Sequence, residues 1–397
     1  MSSGGHIRRR GANSWELKFD IDRADGQRQT RYKSFKGTRR EAQAELARLL
    51  VAVADGAHVD PSRLTVGEHV RARFAHWQEA GEIGLLTAQR YRQLIDYQII
   101  PHLGSKLLQK LSTLDIERWH AILRNRGRKG RAGRPDGQGG LDPRTIGHAH
   151  RILSKALSDA QRHDCVSKNV CKIQPAPKLP KKKMQILTSE QAINLPALLH
   201  GHPLEVRALT ALYTGMREAE ILALPLGNLD LDNKVIKVRV ALEETKAGGL
   251  RLKPPKTKAG IRDIALPAIL VEILRTYRKQ LLEHRVMLGL GKPTDEDLVF
   301  PEWDGGYQKP SSFCTAWSKL SRQLGLGVTF HGLRHTHASM LIYQGVDIAK
   351  IAERLGHESP EITLRTYVHI FKEKKARADR EAGDKAAAAI DAALGAK

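Results

Sequence analysis

Six residues in the second half of the chain have side chains that could break a phosphodiester bond without a metal ion. They are Arg217, Lys256, His331, Arg334, His357 and Tyr367. Each arginine can place a planar fork of N–H donors on two phosphate oxygens. The histidines and the lysine can move protons, and the tyrosine can supply an oxygen nucleophile. Together they predict attack by a phenolic oxygen on a phosphate ester, with a covalent intermediate.

Two more histidines, His335 and His337, follow His331 on one predicted helix. No carboxylate or cysteine stands at a spacing that would complete a zinc site with them, so we expect no metal here. We expect His335 and His337 to be structural. His331 and Arg334 are three residues apart, and therefore share a helical face.

The local contexts of the six residues carry a resemblance. These contexts are Thr-Gly-Met-Arg-Glu-Ala-Glu, Pro-Pro-Lys-Thr-Lys-Ala-Gly-Ile-Arg, His-Gly-Leu-Arg-His, Leu-Gly-His and Thr-Leu-Arg-Thr-Tyr. In order and content they resemble the tyrosine recombinase (phage integrase) family. The likeness is strong over residues 186–370, moderate over 64–172 and weak before that.

The resemblance implies a role for each residue. Arg217, Arg334 and the two histidines His331 and His357 would hold the phosphate and assist proton transfer. Tyr367 would be the nucleophile and would retain the DNA 3′ phosphate. A lysine on a strand hairpin would be the general acid; Lys256 is preferred and Lys258 stays open. Glu220, three residues after Arg217, would orient the helix that carries it.

The resemblance also implies partners. The chain would act on double-stranded DNA, at core sites and with the N-terminal domain as a candidate for arm sites. Four copies would assemble on two DNA sites and exchange strands through a four-way junction. Host or element-encoded proteins that bend DNA or set direction are further expected partners. No cofactor is implied, because one ester replaces another and no energy source is needed.

Charge independently points to a polyanionic partner. The formal net charge is +23, and residues 61–180 alone hold 21 Lys and Arg against 10 Asp and Glu. Such an excess outside the six residues predicts a module that grips backbone phosphates. The three cysteines, Cys165, Cys171 and Cys314, fit neither a disulfide framework nor a zinc site. With no signal peptide or membrane span in view, we expect a bacterial cytoplasmic location, at the nucleoid.

Patterning predicts a mainly α fold with small β-sheets, divided into several parts. These are an N-terminal sheet-plus-helix domain at 1–60, a helical core-binding domain at 64–172, a linker at 173–185, a mixed catalytic domain at 186–371 and a tail at 372–397. The linker is rich in proline and lysine, so it should be extended and basic. A hinge there would let two domains close around a duplex.

Several elements follow from local signals. Alternation predicts strands at 14–21, 28–35, 235–242 and 260–266. Thr38 with Glu41 forms a capping box, Thr65 starts a second helix, and Asp142-Pro143 starts a later one. The helix over 87–100 should stop at Pro101. Helices are also predicted over 188–200, 204–214, 218–224, 268–289, 311–324, 331–344, 347–354 and 360–370, with a helical tail.

Three other classes of function remain open on sequence alone. A type IB topoisomerase-like enzyme would use the same chemistry on one duplex. A non-catalytic architectural DNA-binding protein would need the charge but not the six residues. A basic RNA-binding protein would likewise leave the six residues unexplained.

Overall fold

A computed structural model describes residues 5–22, 28–55, 59–127, 139–180, 184–246, 248–255 and 257–394. The chain divides into two compact units, Met1–Pro180 and Lys181–Lys397. The sequence also predicts a turn at Asp25-Gly26 and a flexible basic loop over 126–141; that turn, most of that loop, and Lys181, Lys182 and Lys183 of the linker lie outside the described residues. The finer division into domains stays a prediction.

The first unit begins with an antiparallel sheet in the order β1-β2-β3, covered by one helix. Its elements are β1 (His6–Gly11), β2 (Ser14–Asp22), β3 (Arg28–Lys36) and α1 (Arg39–Ala54). Leu17 and Phe19 of β2 alternate inward and pack on Ala42 and Leu46 of α1, as the period of two predicts. The capping box of Thr38 and Glu41 is confirmed. Strand β1 was missed because its sequence is mostly basic and its face is exposed.

A helical part follows in the same unit. Its helices are α2 (Val66–Glu79), α3 (Leu85–Leu94), α4 (Ile100–Leu103), α5 (Thr113–Arg126), α6 (Pro143–Arg162) and α7 (Val170–Ile173). The predicted starts after Thr65 and Asp142 are confirmed. The predicted stop at Pro101 is wrong. A π-helical turn, Ile95–Ile99, precedes α4, and Pro101 lies in the first turn of α4, where a missing N–H costs little.

Two buried histidines link α5, α6 and α7. His150 Nε2 donates to the carbonyl of Cys171 at 3.1 Å, so in the neutral ring its Nδ1 is an acceptor. His120 Nε2 must then donate to that Nδ1, also at 3.1 Å. Burial, with a contribution from His150 and Arg124, lowers the pKa of His120 to about 4. Burial also lowers the pKa of His150.

We expect this pair to make the chain less stable in mild acid. The unfolded histidine takes up a proton below about pH 6.5, whereas folded His120 stays neutral until about 4. The stabilisation is therefore complete above the unfolded pKa and falls as the pH drops from there, by about 1.4 kcal/mol per pH unit for one histidine. Denaturant unfolding at several pH values measures this loss of stability in the wild type and in His120→Gln. The glutamine can still donate the hydrogen bond but cannot take up a proton. The variant should lose less stability between neutral and mildly acidic pH; equal losses would contradict the prediction.

The second unit contains α8 (Ser189–Leu199), α9 (Glu205–Thr214), α10 (Glu218–Ile221), α11 (Ala268–Met287), α12 (Pro310–Gln323), α13 (Phe330–Tyr343), α14 (Ile348–Leu355) and α15 (Pro360–Leu394). Its strands are β4 (Leu229–Asp230), β5 (Val235–Val238), β6 (Ala241–Thr245), β7 (Gly249–Lys253) and β8 (Arg262–Ala265). A large apolar core joins α8, α9, α12 and α13 to the sheet. A smaller one joins α13, α14 and α15. The mainly α class with small sheets is confirmed.

The predicted strand over 235–242 is two strands in different sheets. Strand β5 pairs with β4 and β8, whereas β6 pairs with β7. The break falls at Arg239, whose guanidinium binds the carbonyls of Val238 and Arg262. Alternation continues through the break, so the sequence pattern gave no sign of it. Strand β7, absent from the prediction, completes a hairpin that leads to the candidate lysines.

The helix predicted over 360–370 and the predicted helical tail form one element. Helix α15 continues from Pro360 to Leu394, with non-helical backbone angles at Tyr367 (φ −110°, ψ 15°). The nucleophile candidate thus lies at a local break rather than in regular helix. Across the described residues, no helix is both long and apolar enough to cross a membrane.

Candidate active site

Arg217 is held at the start of α10 by the turn that ends α9. Gly215 ends α9 in the left-handed conformation (φ 69°), which glycine adopts without strain. The chain then extends, and Arg217 becomes the N-cap of α10. Its Nη1 donates to Glu220 Oε1 at 2.7 Å, its backbone N–H donates to Glu220 Oε2 at 2.9 Å, and its Nη2 donates to the carbonyl of Gly356 at 2.9 Å. With 37% of the side chain exposed, the guanidinium remains accessible to an anion.

Glu220 orients Arg217 with the help of a third arginine. Arg262, on β8, donates from Nη2 to Glu220 Oε2 at 2.9 Å and from Nη1 to Oε1 at 3.2 Å. Both side chains are buried, with 4% and 2% exposed. Burial alone would raise the pKa of the Glu220 carboxyl, but the hydrogen bonds and charge of Arg262 and the charge of Arg217 hold that pKa below its ordinary value. The carboxylate therefore stays ionised between two cations.

Arg262 also fixes the surrounding loops. Its Nε donates to the carbonyl of Arg354 at 2.7 Å, and its Nη1 donates to that of Gly260 at 3.0 Å. Gly260 ends the short turn that contains Lys258. The buried guanidinium of Arg262 thus binds the turn that contains Lys258, the end of α14 and the Glu220 carboxylate that orients Arg217. Sequence reasoning missed this role, although Arg262 lies inside the quoted Lys-Ala-Gly-Ile-Arg context.

Arg334 lies on α13 and points into the same region. It is 2% exposed; Nη1 donates to the carbonyl of Gly215 at 2.6 Å and Nη2 to that of Leu355 at 2.7 Å. Burial, reinforced by the charge of Arg217, lowers the pKa of Arg334 to about 9. The guanidinium is therefore still charged at neutral pH. Gly215 precedes Arg217 by two residues and Leu355 precedes His357 by two, so these bonds bring the three segments together.

The two predicted site histidines are neutral at neutral pH. His357 follows α14, and its Nδ1 lies 2.7 Å from the Thr363 hydroxyl oxygen. Burial and then the charges of Arg334 and Arg217 lower the pKa of His357 to about 4. His331 is exposed at the start of α13; partial desolvation and the same two arginines lower its pKa as well. Neutral rings can donate or accept a hydrogen bond without adding charge.

Tyr367 is almost fully buried, with 1% exposed. Its hydroxyl oxygen lies 2.8 Å from Nδ1 of His335. Burial raises the pKa of Tyr367 to about 12, against the opposing charge of Arg334. The residue is therefore a phenol, not a phenolate, at neutral pH, and attack by its oxygen requires removal of the proton.

The two histidines expected to be structural differ in their surroundings. His337 contacts the carbonyl of Leu212 at 2.8 Å and the Nε of Arg354 at 3.0 Å, which are framework contacts. His335 instead contacts the Tyr367 hydroxyl, and its ring stacks edge-on against His331 at 4.6 Å between centroids. The four-residue spacing of His331 and His335 was the only sequence signal for the contact between these two rings.

The lysine assignment stays open. Lys256 lies outside the described residues, and Lys258 is exposed in a turn between β7 and β8. The hairpin before them is anchored: both oxygens of Glu244 accept hydrogen bonds from Ser311 on α12, at 3.1 Å and 3.0 Å. Lys258 therefore follows an anchored hairpin. In the described parts of the chain, no cluster of three or more His, Cys, Asp or Glu could hold a metal ion.

Comparison with known proteins supplies the context for this geometry. A model described as phage integrase family matches residues 185–374, and one described as phage integrase N-terminal SAM-like domain matches residues 76–123. The chain is similar to a protein named tyrosine recombinase XerC-like from Caldanaerobacter subterraneus subsp. tengcongensis, with 23% identity over 93% of this chain and 95% of that protein.

Solved structures show the same fold at low sequence identity. The Tn1549 transposon integrase in complex with transposon right end DNA superposes with a TM-score of 0.66 at 20% identity, covering 80% of this chain and 99% of that chain. A lambda integrase tetramer bound to a Holliday junction superposes with a TM-score of 0.50 at 16% identity, covering 90% and 96%.

Proposed function

The chain belongs to the phage integrase family of tyrosine recombinases, and we propose how its own residues cut and rejoin DNA at specific sites. The observation that carries the proposal is the joint placement of Arg217, Arg334 and Tyr367. Both guanidiniums are fixed through carbonyls of neighbouring loops, and the charge of Arg334 acts on the tyrosine hydroxyl. Fixed cations beside a buried oxygen nucleophile suit a phosphodiester.

Charge neutralisation is the main task of the two arginines. Attack on the anionic phosphate builds further negative charge on its oxygens. Donors that are already oriented need no reorganisation as that charge develops, and one such donor is worth about 3 kcal/mol. Glu220 and the loop carbonyls hold Arg217 and Arg334 in place before DNA arrives. His331 and His357, neutral beforehand, can add hydrogen bonds to the same oxygens.

The bonds exchanged follow from the residues. The phenolic oxygen of Tyr367 forms a bond to phosphorus while the bond from phosphorus to the 5′ oxygen breaks. The DNA 3′ phosphate then remains on Tyr367, and the 5′ oxygen needs a proton, which Lys256 or Lys258 would donate. One phosphate ester replaces another, so the intermediate keeps the free energy needed for rejoining a second strand.

The biological setting is proposed from the family and from charge. We infer DNA as the partner, with integration or excision of a mobile element as the outcome. Residues 64–172 would bind core sites and 186–371 would catalyse, joined by the linker at 173–185. Residues 1–60, where Arg8, Arg9 and Arg10 are exposed on β1, would bind arm sites.

Assembly is a further part of the proposal. Four copies would act on two DNA sites in the bacterial cytoplasm, with bending or directionality proteins assisting. The tail at 372–397 would dock on a neighbouring copy. The tetramer on a Holliday junction seen for lambda integrase supports this arrangement, since the folds agree.

Trapping the covalent intermediate tests the function. A library of nicked duplexes is mixed with the full chain without added metal ion; the nick lets the short 5′-hydroxyl fragment diffuse away, so rejoining fails. We expect a protein–DNA adduct that mass spectrometry maps to Tyr367, and sequencing of its DNA reads out the site. Unnicked duplexes are the control and should yield far less adduct. Tight DNA binding with no adduct on any duplex would overturn the proposal in favour of an architectural protein.

A further inference from the structure

Among the residues that the structure describes, a side chain outside the six-residue set contacts the reacting atom of the nucleophile. Nδ1 of His335 lies 2.8 Å from the Tyr367 hydroxyl oxygen, with the two rings edge-on at 5.7 Å between centroids. We propose that His335 is a catalytic residue that takes the phenolic proton of Tyr367 during strand cleavage and returns it during rejoining. The inference deepens the proposed function and rests on it.

One tautomer of His335 gives the hydrogen bond the direction that this role needs. Burial, followed by the charges of His331 and Arg334, lowers the pKa of His335 to about 4, so the ring is neutral before DNA binds. We assign its hydrogen to Nε2, which leaves Nδ1 as the acceptor of the phenolic hydrogen. A proton in an existing hydrogen bond needs no rearrangement before transfer.

Binding of DNA would make His335 a stronger base. The ring faces His331 and Arg334 on its own helix, and His357, Tyr367 and His369 from the adjoining segments. Without DNA, Arg334 disfavours an imidazolium here. A phosphate bound by Arg217 and Arg334 offsets that positive charge, and a nearby anion raises the proton affinity of a histidine. The acceptor therefore strengthens only when the bond to be broken is present.

Each proton and electron pair in this step has a defined destination. As the Tyr367 oxygen bonds to phosphorus, its O–H bond breaks and an N–H bond forms at Nδ1 of His335. The electron pair of the breaking P–O bond goes to the 5′ oxygen, which takes a proton from the hairpin lysine. Rejoining reverses each change, and the imidazolium returns its proton to the departing phenolic oxygen.

His335→Gln combined with fluorinated tyrosine at position 367 tests the role. Glutamine retains a polar side chain but cannot accept the proton. We expect the single variant to form the trapped adduct about 10²- to 10⁴-fold more slowly, with DNA affinity and thermal unfolding close to wild type. A fluorinated tyrosine that ionises near neutral pH needs no base, so it should restore most of the rate. His284→Gln, an exposed histidine on α11, is the matched control and should react at the wild-type rate.

A second substrate separates the two proton transfers. Duplexes with sulfur in place of the bridging 5′ oxygen have a leaving group that needs no proton. Variants of the hairpin lysine should recover on this substrate, whereas His335→Gln should stay slow. An unchanged rate in His335→Gln, or a slow rate that the fluorinated tyrosine fails to restore, would overturn the inference while leaving the function intact.

The pH dependence of adduct formation provides a measurement that needs no substitution of His335. The wild-type adduct rate should rise with pH as the DNA-bound His335 loses its proton, and fluorinated tyrosine should flatten that rise. The same slope with both nucleophiles would contradict the role of His335. Absence of adduct from the wild type on every duplex would overturn the proposed function together with it.

Discussion

Tyr367→Phe should abolish the covalent protein–DNA adduct while DNA affinity stays within a few-fold of wild type. Phenylalanine has no oxygen that could bond to phosphorus, so the loss should be complete in the trapping assay rather than partial. Affinity should persist because the basic residues proposed to bind the DNA backbone lie elsewhere, and phosphate contacts supply a large share of the binding free energy. Adduct formation on gels and binding by fluorescence anisotropy, at one stated salt concentration, measure the two quantities.

The variant should also fold. It removes one hydroxyl from a side chain that is 1% exposed, and it leaves the His335 Nδ1 without its partner. Such a change costs about 1–3 kcal/mol of stability. Tyr343→Phe is a matched control, because Tyr343 is 44% exposed on α13; it should keep full adduct formation. Adduct of unchanged yield from Tyr367→Phe would show that another residue is the nucleophile.

The sequence predicted what local chemistry determines. The helix predicted over 204–214 ends where expected, and the next residue, Gly215, is the left-handed residue that turns the chain toward Arg217. The capping residues Thr38, Thr65 and Asp142 begin helices where expected. Glu220 was assigned to orient the helix of Arg217, and its carboxylate binds that arginine directly. In each case the partner lies within three residues, so the contact is visible in the chain itself.

Contacts between distant residues could not be predicted in this way. Arg262 reaches Glu220 across 42 positions, and Tyr367 reaches His335 across 32. No periodicity in the sequence indicates which arginine on a strand will pair with which carboxylate. The split between β5 and β6 was hidden for a similar reason, since alternation depends on burial and not on which strand is paired. The helix stop predicted at Pro101 is wrong because a π-helical turn comes first and α4 begins just before this proline.

Arg262→Met should destabilise the second unit and slow cleavage at the same time. The substitution leaves the Glu220 carboxylate, 2% exposed, with Arg217 as its remaining cation. Removing one member of a buried ion pair costs about 3–5 kcal/mol, because the other charge is left uncompensated. The carbonyls of Gly260 and Arg354 also lose their donor. Denaturant unfolding followed by the trapping assay measures both effects. Arg275→Met is the control, since its ion pairs are exposed and worth about 1 kcal/mol or less.

The double variant Arg262→Met with Glu220→Leu separates stability from positioning. Methionine and leucine can pack where two buried charges stood, so the pair should be more stable than the sum of the single losses predicts. Cleavage should nevertheless remain slow, because Arg217 has lost the carboxylate that fixes its guanidinium and is held by the Gly356 carbonyl. Recovery of both stability and cleavage would mean that the buried pair supports folding alone. Recovery of stability without cleavage would assign the buried Glu220–Arg262 pair to the positioning of the Arg217 guanidinium.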